Sequence, residues 1–155
     1  MDIDQDDSAH GAVAALEFRL DAASGMPVSQ QLVQQVEHAL RLGHLQRGDR
    51  LPKVRDAVAS LAINPNTVLK AYRELEIKGL VEGRPGQGTF IIASLNQVAL
   101  PELAKLRRSL LGWLASADEA GLDVDGMAAL FASALRDFAE RPESRPADDS
   151  SVQVA

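Results

Sequence analysis

Hydrophobic positions along the chain repeat with two different periods, and each change of period marks out an element. Leu16-Glu17-Phe18-Arg19-Leu20 alternates apolar and polar, which predicts a short half-buried strand. After a turn through Ser24-Gly25, Pro27 opens a helix with apolar Val28, Leu32, Val36, Ala39 and Leu40, closing at Gly43. Its other face, Gln30, Gln31, Gln34, Gln35, Glu37 and His38, is expected to be solvated. Residues 43–52 hold two glycines and a proline and read as a connector with room for one short strand pairing elsewhere. A second helix runs from about Lys53 to Leu61, burying Val54, Val58 and Leu61. Only Ala62 to Asn64 separate it from a third.

The third helix announces its own start. Asn64 is a good N-cap, Pro65 after it needs no N–H, and Ile63 and Val68 are spaced to close a hydrophobic staple. Val68, Ala71, Tyr72 and Leu75 then form a stripe at i, i+3, i+4, i+7, and Gly79 stops the helix. Leu80-Val81-Glu82 and Thr89-Phe90-Ile91-Ile92 flank the glycine-rich 83–88 as a β-hairpin. That glycine run lacks the Lys-Ser/Thr ending of a nucleotide loop and lies between two strands. From about 98 to 120 the period is helical again, ending at Gly121, and a last helix carries Met127, Leu130, Phe131, Ala134, Leu135 and Phe138 up to Pro142.

Helix, tight turn, helix and glycine-tipped hairpin together predict an α+β chain: a winged helix-turn-helix followed by a short two-helix C-terminal dimerisation region. The expected divisions are a disordered acidic N-terminus at 1–14, the winged unit at 15–93, a helical hairpin at 94–141 and a disordered tail at 142–155. Two helices this short cannot cover their own apolar stripes. Leu103, Leu106, Leu110, Trp113, Leu114, Leu130, Phe131, Leu135 and Phe138 are therefore expected to pair with a second copy as a four-helix interface.

Charge changes this picture once it is divided by region. The net −6 splits into −5 for residues 1–26, +3 for 27–93 and −4 for 94–155, so the only cationic part contains the capped helix. An acidic total does not argue against nucleic acid, because local potential governs phosphate contact. Without cysteine there is no disulfide framework, thiolate metal site or cysteine nucleophile. His10, His38 and His44 are scattered, and no nucleophile–base pair, metal cluster or cofactor loop is present, so neither an enzyme nor a cofactor is expected. An acidic start and the lack of any ~20-residue apolar run point to a cytoplasmic protein.

Asn66, Thr67, Lys70 and Arg73 project from the polar side of the third helix, a surface suited to base edges in the major groove of double-stranded DNA. The plainer reading is an amphipathic helix with a solvated face. A winged-helix module that binds protein without touching DNA is the alternative function.

The wording of residues 27–92 weighs on that choice. Pro27-Val28-x-x-Gln31-Leu32, Gly43-x-Leu45-x-x-Gly48-Asp49-Arg50-Leu51-Pro52-x-x-Arg55, Asn64-Pro65-Asn66-Thr67-Val68, Tyr72-x-x-Leu75-Glu76-x-x-Gly79-Leu80 and Gly86-x-Gly88-Thr89-Phe90 together resemble the GntR family of bacterial transcription regulators. Asn-Pro-Asn-Thr-Val, the upstream Phe18-Arg19-Leu20-Asp21 and the two short C-terminal helices resemble its YtrA subfamily. The resemblance implies a homodimeric repressor on an inverted-repeat operator. It places Arg55 on DNA from the second helix and Asn66, Thr67 and Lys70 at the recognition positions, and it puts Gly86, Gln87 and Gly88 at a wing tip against the minor groove. Lys53, Arg73 and Arg84 complete the expected DNA-binding set.

Several residues depart from the family pattern. Lys53 replaces a capping serine, Pro65 and Leu69 stand where other branches carry arginines, Ser29 replaces a common aromatic, and Gln87 is neutral. The branch's small C-terminal region also leaves any unknown small-molecule effector only the dimer interface, or the space between the two parts, in which to act.

Overall fold

In the computed structural model, which describes residues 16–142, the elements run α1 (Val28–Arg41), α2 (Val54–Leu61), α3 (Pro65–Ile77), β1 (Val81–Arg84), β2 (Gly88–Ile91), α4 (Leu100–Glu119) and α5 (Val124–Ala139). The expectations for 1–14 and for all but Pro142 of the tail lie outside the described residues. The chain divides into two compact units between Ala104 and Lys105, inside α4.

In the first unit α3 is the element the others pack on. Its stripe Val68, Ala71, Tyr72 and Leu75 is buried, and α1, α2 and β1 all lie against it. Leu32, Val36 and Leu40 of α1 face it with no exposed surface, so truncating any of them to alanine would cost ~2–5 kcal/mol. The end of α3 is tied by two bonds, from Leu80 N–H to the Leu75 carbonyl and from Gly79 N–H to the Glu76 carbonyl, each 3.0 Å. That crossed pair seats Leu80 in the core and turns the chain into the hairpin.

β1 and β2 pair antiparallel in the register Val81–Ile91, Glu82–Phe90, Gly83–Thr89, Arg84–Gly88. The connector supplies the expected short extra strand at one residue: Arg50 bridges Phe90, with Leu51 N–H on the Thr89 carbonyl and Ile91 N–H on the Asp49 carbonyl. Sheet pairing extends through Arg84 and Gly88, so the free tip shrinks to Pro85-Gly86-Gln87. Gln87 N–H returns to the Arg84 carbonyl at 3.0 Å, with Pro85 second and Gly86, at φ +73°, third in the turn. A proline followed by a left-handed residue is a type II turn, and glycine occupies that place without steric penalty.

Two expectations about the N-terminal part are corrected. Leu16 to Leu20 alternates in burial, with Phe18 buried, but it is not a strand. Its backbone is held by side chains of α1. Arg19 N–H donates to Gln35 Oε1 at 2.9 Å and Gln35 Nε2 returns to the Arg19 carbonyl; Gln31 does the same for Asp21, at 2.9 and 3.1 Å. The carboxamide of glutamine has the donor and acceptor of a peptide group, so two glutamines one helical turn apart replace a partner strand. Gln31 and Gln35 are accordingly not solvated, and Gln31 is buried with further bonds to Ser24 Oγ and the Met26 carbonyl. In α2 the fully buried residue is Ala57, while Val54, Val58 and Leu61 are only partly covered because the helix is short and lies at the rim of the core.

In the second unit Asp123 caps α5 by accepting from Gly126 N–H at 2.8 Å. Ala117 is buried beside the turn, with Trp113, Leu114, Leu122 and Met127 half-covered around it. Away from that turn the apolar stripes are open, and α5 buries none of its residues. Among the described residues no helix is long and apolar enough to cross a membrane.

Candidate nucleic-acid interface

The cap of α3 is built as its sequence demands. Asn64 Oδ1 accepts from Asn66 N–H at 2.8 Å, and Thr67 N–H is taken by the Asn64 carbonyl. This division of labour matters for Asn66. Its neighbour does the capping, so its own side-chain amide is exposed and makes no hydrogen bond among the described residues. Lys70 and Arg73, one and two turns on, are exposed as well, and Leu69, just before Lys70, is 45% exposed.

Pairing within the protein would have disqualified the cations. Glu74, the acid that Lys70 would meet one turn along, instead sits 3.9 Å from Lys78, and Lys78 also holds Glu37 at 2.6 Å. The hydrogen bond to Glu37 pushes the Lys78 pKa up and locks both groups away from α3's first turns. Arg55 does not pair with Asp56 although both are exposed on α2. Among the described residues Lys53, Arg55, Lys70 and Arg73 make no ion pair, which leaves four guanidinium and ammonium groups available to phosphate or base oxygens. Lys53 precedes the first residue of α2 and, as expected from the missing serine, gives that helix no side-chain cap.

The expected residues fall around two clefts. Lys53 shares one of about 550 Å³ with the wing residues Arg84, Gly86, Gln87 and Gly88. Asn66, Thr67 and Lys70 share another of about 450 Å³ with Pro27, Ser29 and Asn64 at the start of α1. Arg55 and Arg73 line neither. Arg84 departs from the reading of a free wing cation: its guanidinium lies 4.4 Å from the Phe90 ring centre and 3.5 Å from the Glu82 carboxylate. Arg50 approaches the same ring at 5.2 Å, so Phe90 carries two guanidiniums, one of which the sequence alone did not single out. The antiparallel bridge of Arg50 to Phe90 is the reason, since opposed residues share a sheet face.

Tyr72 has a structural role. Its hydroxyl donates to the Pro52 carbonyl, its ring lies 6.4 Å from Phe18, and burial pushes its pKa upward. It ties the entry of α2 to α3, and with it the spacing of the turn between them. That turn also requires Ala62 at φ 52°, a left-handed position that costs a β-carbon about 1 kcal/mol.

Residues 28–91 match the family described as bacterial regulatory proteins, gntR family. The chain is 32% identical over 109 residues to the HTH-type transcriptional repressor YtrA of Bacillus subtilis (strain 168), spanning 70% of this chain and 84% of that one. It is 37% identical over 105 residues to the uncharacterized HTH-type transcriptional regulator YhcF of the same strain, spanning 67% and 86%. With the HTH-type transcriptional regulator Rv1152 of Mycobacterium tuberculosis (strain ATCC 25618 / H37Rv) it shares 48% over 74 residues, or 48% of this chain and 61% of that protein.

Proposed function

Since the chain belongs to the GntR family, within its YtrA branch, we propose that it is a sequence-specific transcriptional repressor that binds an inverted-repeat operator as a homodimer. The observation that carries the reading is the set of unpaired groups around α3. Among the described residues Lys53, Arg55, Lys70 and Arg73 have no acid partner, and the Asn66 side-chain amide has no hydrogen-bond partner, in the only part of the chain with excess positive charge. Residues 65–78 act as the recognition helix in the major groove, with Asn66, Thr67 and Lys70 reading base edges and Arg55 and Arg73 flanking them. The wing, 83–89, follows the minor groove through Gly86, Gln87 and Gly88.

Dimerisation rests on the second unit. Leu106 is 61% exposed, Leu135 54% and Phe138 65%, an apolar stripe too large to leave in water on helices of this length. A second copy supplies the matching surface, and the twofold symmetry this creates is that of an inverted repeat. The protein acts in the cytoplasm, where its DNA is.

Footprinting of the protein on DNA from upstream of its own gene tests the proposal. The expected result is two protected segments whose centres lie ~34–36 Å, or a multiple of that, apart. Absence of protection at low salt, with the protein folded and dimeric, would overturn it.

A further inference from the structure

One side chain among the polar groups on the open face of α3 is a large aliphatic. Leu75 of the same helix has no exposed surface. Leu69 is 45% exposed and, among the described residues, neither belongs to the core nor packs against it. Spacings of three and four place Asn66 and Arg73 on either side of it in one row of the helix, and Lys70 follows it directly. The Asn66 side-chain amide is unbonded, and Lys70 and Arg73 make no ion pair, among the described residues. Ile77, the other exposed large aliphatic of α3, is set apart from this group. It ends the helix beside Lys78, whose charge is closed by Glu37.

A leucine surrounded by groups that face DNA stays hydrated in the complex unless the DNA presents something apolar to cover it. In the major groove the base edges carry hydrogen-bonding atoms at every position and one kind of apolar group, the C5-methyl of thymine. Leucine has no side-chain donor or acceptor for the first and gains by burial against the second. We infer that Leu69 packs on the C5-methyl group of one thymine in each half-site and so favours T·A over C·G there. Cytosine carries only a hydrogen at C5 and leaves the side chain partly in water. This contact presupposes the DNA-binding reading above and adds to it a reader that works by burial, beside neighbours that work by hydrogen bonding.

Deoxyuridine is thymidine without that methyl and pairs identically with adenine. A uracil scan of the footprinted duplex, read by fluorescence anisotropy with the full-length protein, therefore locates the contact. With uracil at the contacted thymine of one half-site the wild-type affinity should fall ~fourfold, and with uracil in both ~15-fold, the loss of one buried methyl group per half-site. Leu69→Ala should keep the wild-type melting temperature, since the side chain is off the core and alanine is the better helix former. It should bind unrelated DNA as the wild type does and with the same salt slope, because no charge is removed. On the operator it should lose affinity and, at that thymine, its sensitivity to uracil. Leu69→Met, which keeps an apolar side chain of similar reach, should retain that sensitivity. At the same position 5-methylcytosine should be bound ~fourfold more tightly than cytosine by the wild type and no more tightly by Leu69→Ala.

A wild type indifferent to uracil at every position would overturn the inference while leaving DNA binding itself intact. A uracil effect of equal size in Leu69→Ala would assign the methyl to another side chain or to the shape of the duplex, and would overturn it as well. Equal losses on the operator and on unrelated DNA in Leu69→Ala would make the residue a support for the helix and not a reader of bases, again overturning it. No binding by the wild type to any duplex would instead defeat the proposed function, and this contact with it.

Discussion

Replacing Arg55 or Lys70 by glutamine removes one cation from each copy of the protein and none of its internal bonds. Both side chains are exposed and neither has an ion pair among the described residues, so folding stability should move by no more than ~0.5 kcal/mol. Any change in DNA binding then reports an interaction with DNA. Each phosphate neutralised on B-DNA contributes ~0.9 to the slope of log affinity against log salt. A bound homodimer carries the substitution twice, so a cation that meets a phosphate in each half-site flattens the slope by ~1.8 when it is removed, whereas in a bound monomer the slope flattens by ~0.9. Between about 50 and 200 mM salt the wild type's advantage over the variant should shrink ~12-fold for a dimer and ~3.5-fold for a monomer. Fluorescence anisotropy titrations at several salt concentrations separate these outcomes, so one pair of lines reads both the phosphate interaction and the stoichiometry. A residue that meets a base instead gives parallel lines, displaced on the operator and coincident on unrelated DNA. Lys78→Gln is the control, because its ammonium is committed to Glu37 at the far end of α3 and its slope should match the wild type. Unchanged affinity and unchanged slope in both variants would refute the assignment of these two residues.

Tyr72→Phe removes the donor to the Pro52 carbonyl and should cost about 1 kcal/mol, read as a fall of several degrees in melting temperature. Because burial raises the phenol pKa above its usual ~10, the unfolded chain ionises first as pH rises past that value and the native state loses stability there. Lys78, also raised, loses its contribution in the same direction, so the quantity to measure is the alkaline loss that Tyr72→Phe abolishes relative to the wild type. Gly43→Ala places a β-carbon 2.4 Å from Leu100 Cδ2 at φ +73°; calorimetry should show ~1–3 kcal/mol of destabilisation, and a neutral result would mean that Leu100 does not pack on the end of α1. Phe138→Asp, at a side chain 65% exposed in the single chain, should leave helix content intact by circular dichroism. In sedimentation it should convert a species of twice the 16.6 kDa chain mass into the monomer; a wild type that is already monomeric at micromolar concentration would remove the role given to the second unit.

α3 was legible from its first residues because every local signal there agrees. Cap, proline, staple and stripe all specify one start and one buried face; the structure realises the cap, the proline and the stripe, and packs Ile63 against the core that includes Val68. Leu16 to Leu20 shows where period alone misleads. An alternating segment needs something on its hydrogen-bonding edge, and the sequence cannot say whether that is a strand or a row of side chains. Here Gln31 and Gln35 do it, and nothing in the spacing of two glutamines on a helix separates a solvated pair from a bonded one. The polar face of an amphipathic helix is polar for more than one reason.

The same ambiguity bears on the proposed interface. Lys70, Lys78, Arg73 and Arg84 read alike as cations in the only basic region, yet the fold assigns them different states. Lys78 is closed off by Glu37, and Arg84 is drawn onto Phe90 and Glu82, while Lys70 and Arg73 are left open. The selection follows from register. On α3, Glu74 lies one turn from both lysines, and α1 presents Glu37 on the side of Lys78 only. On the sheet, Glu82 opposes Phe90, so a guanidinium two residues from Glu82 on the same strand face meets both. Open cations at Lys70 and Arg73 and closed ones beyond them at Lys78 and Arg84 keep the available charge on α3 itself, the element suited to a major groove.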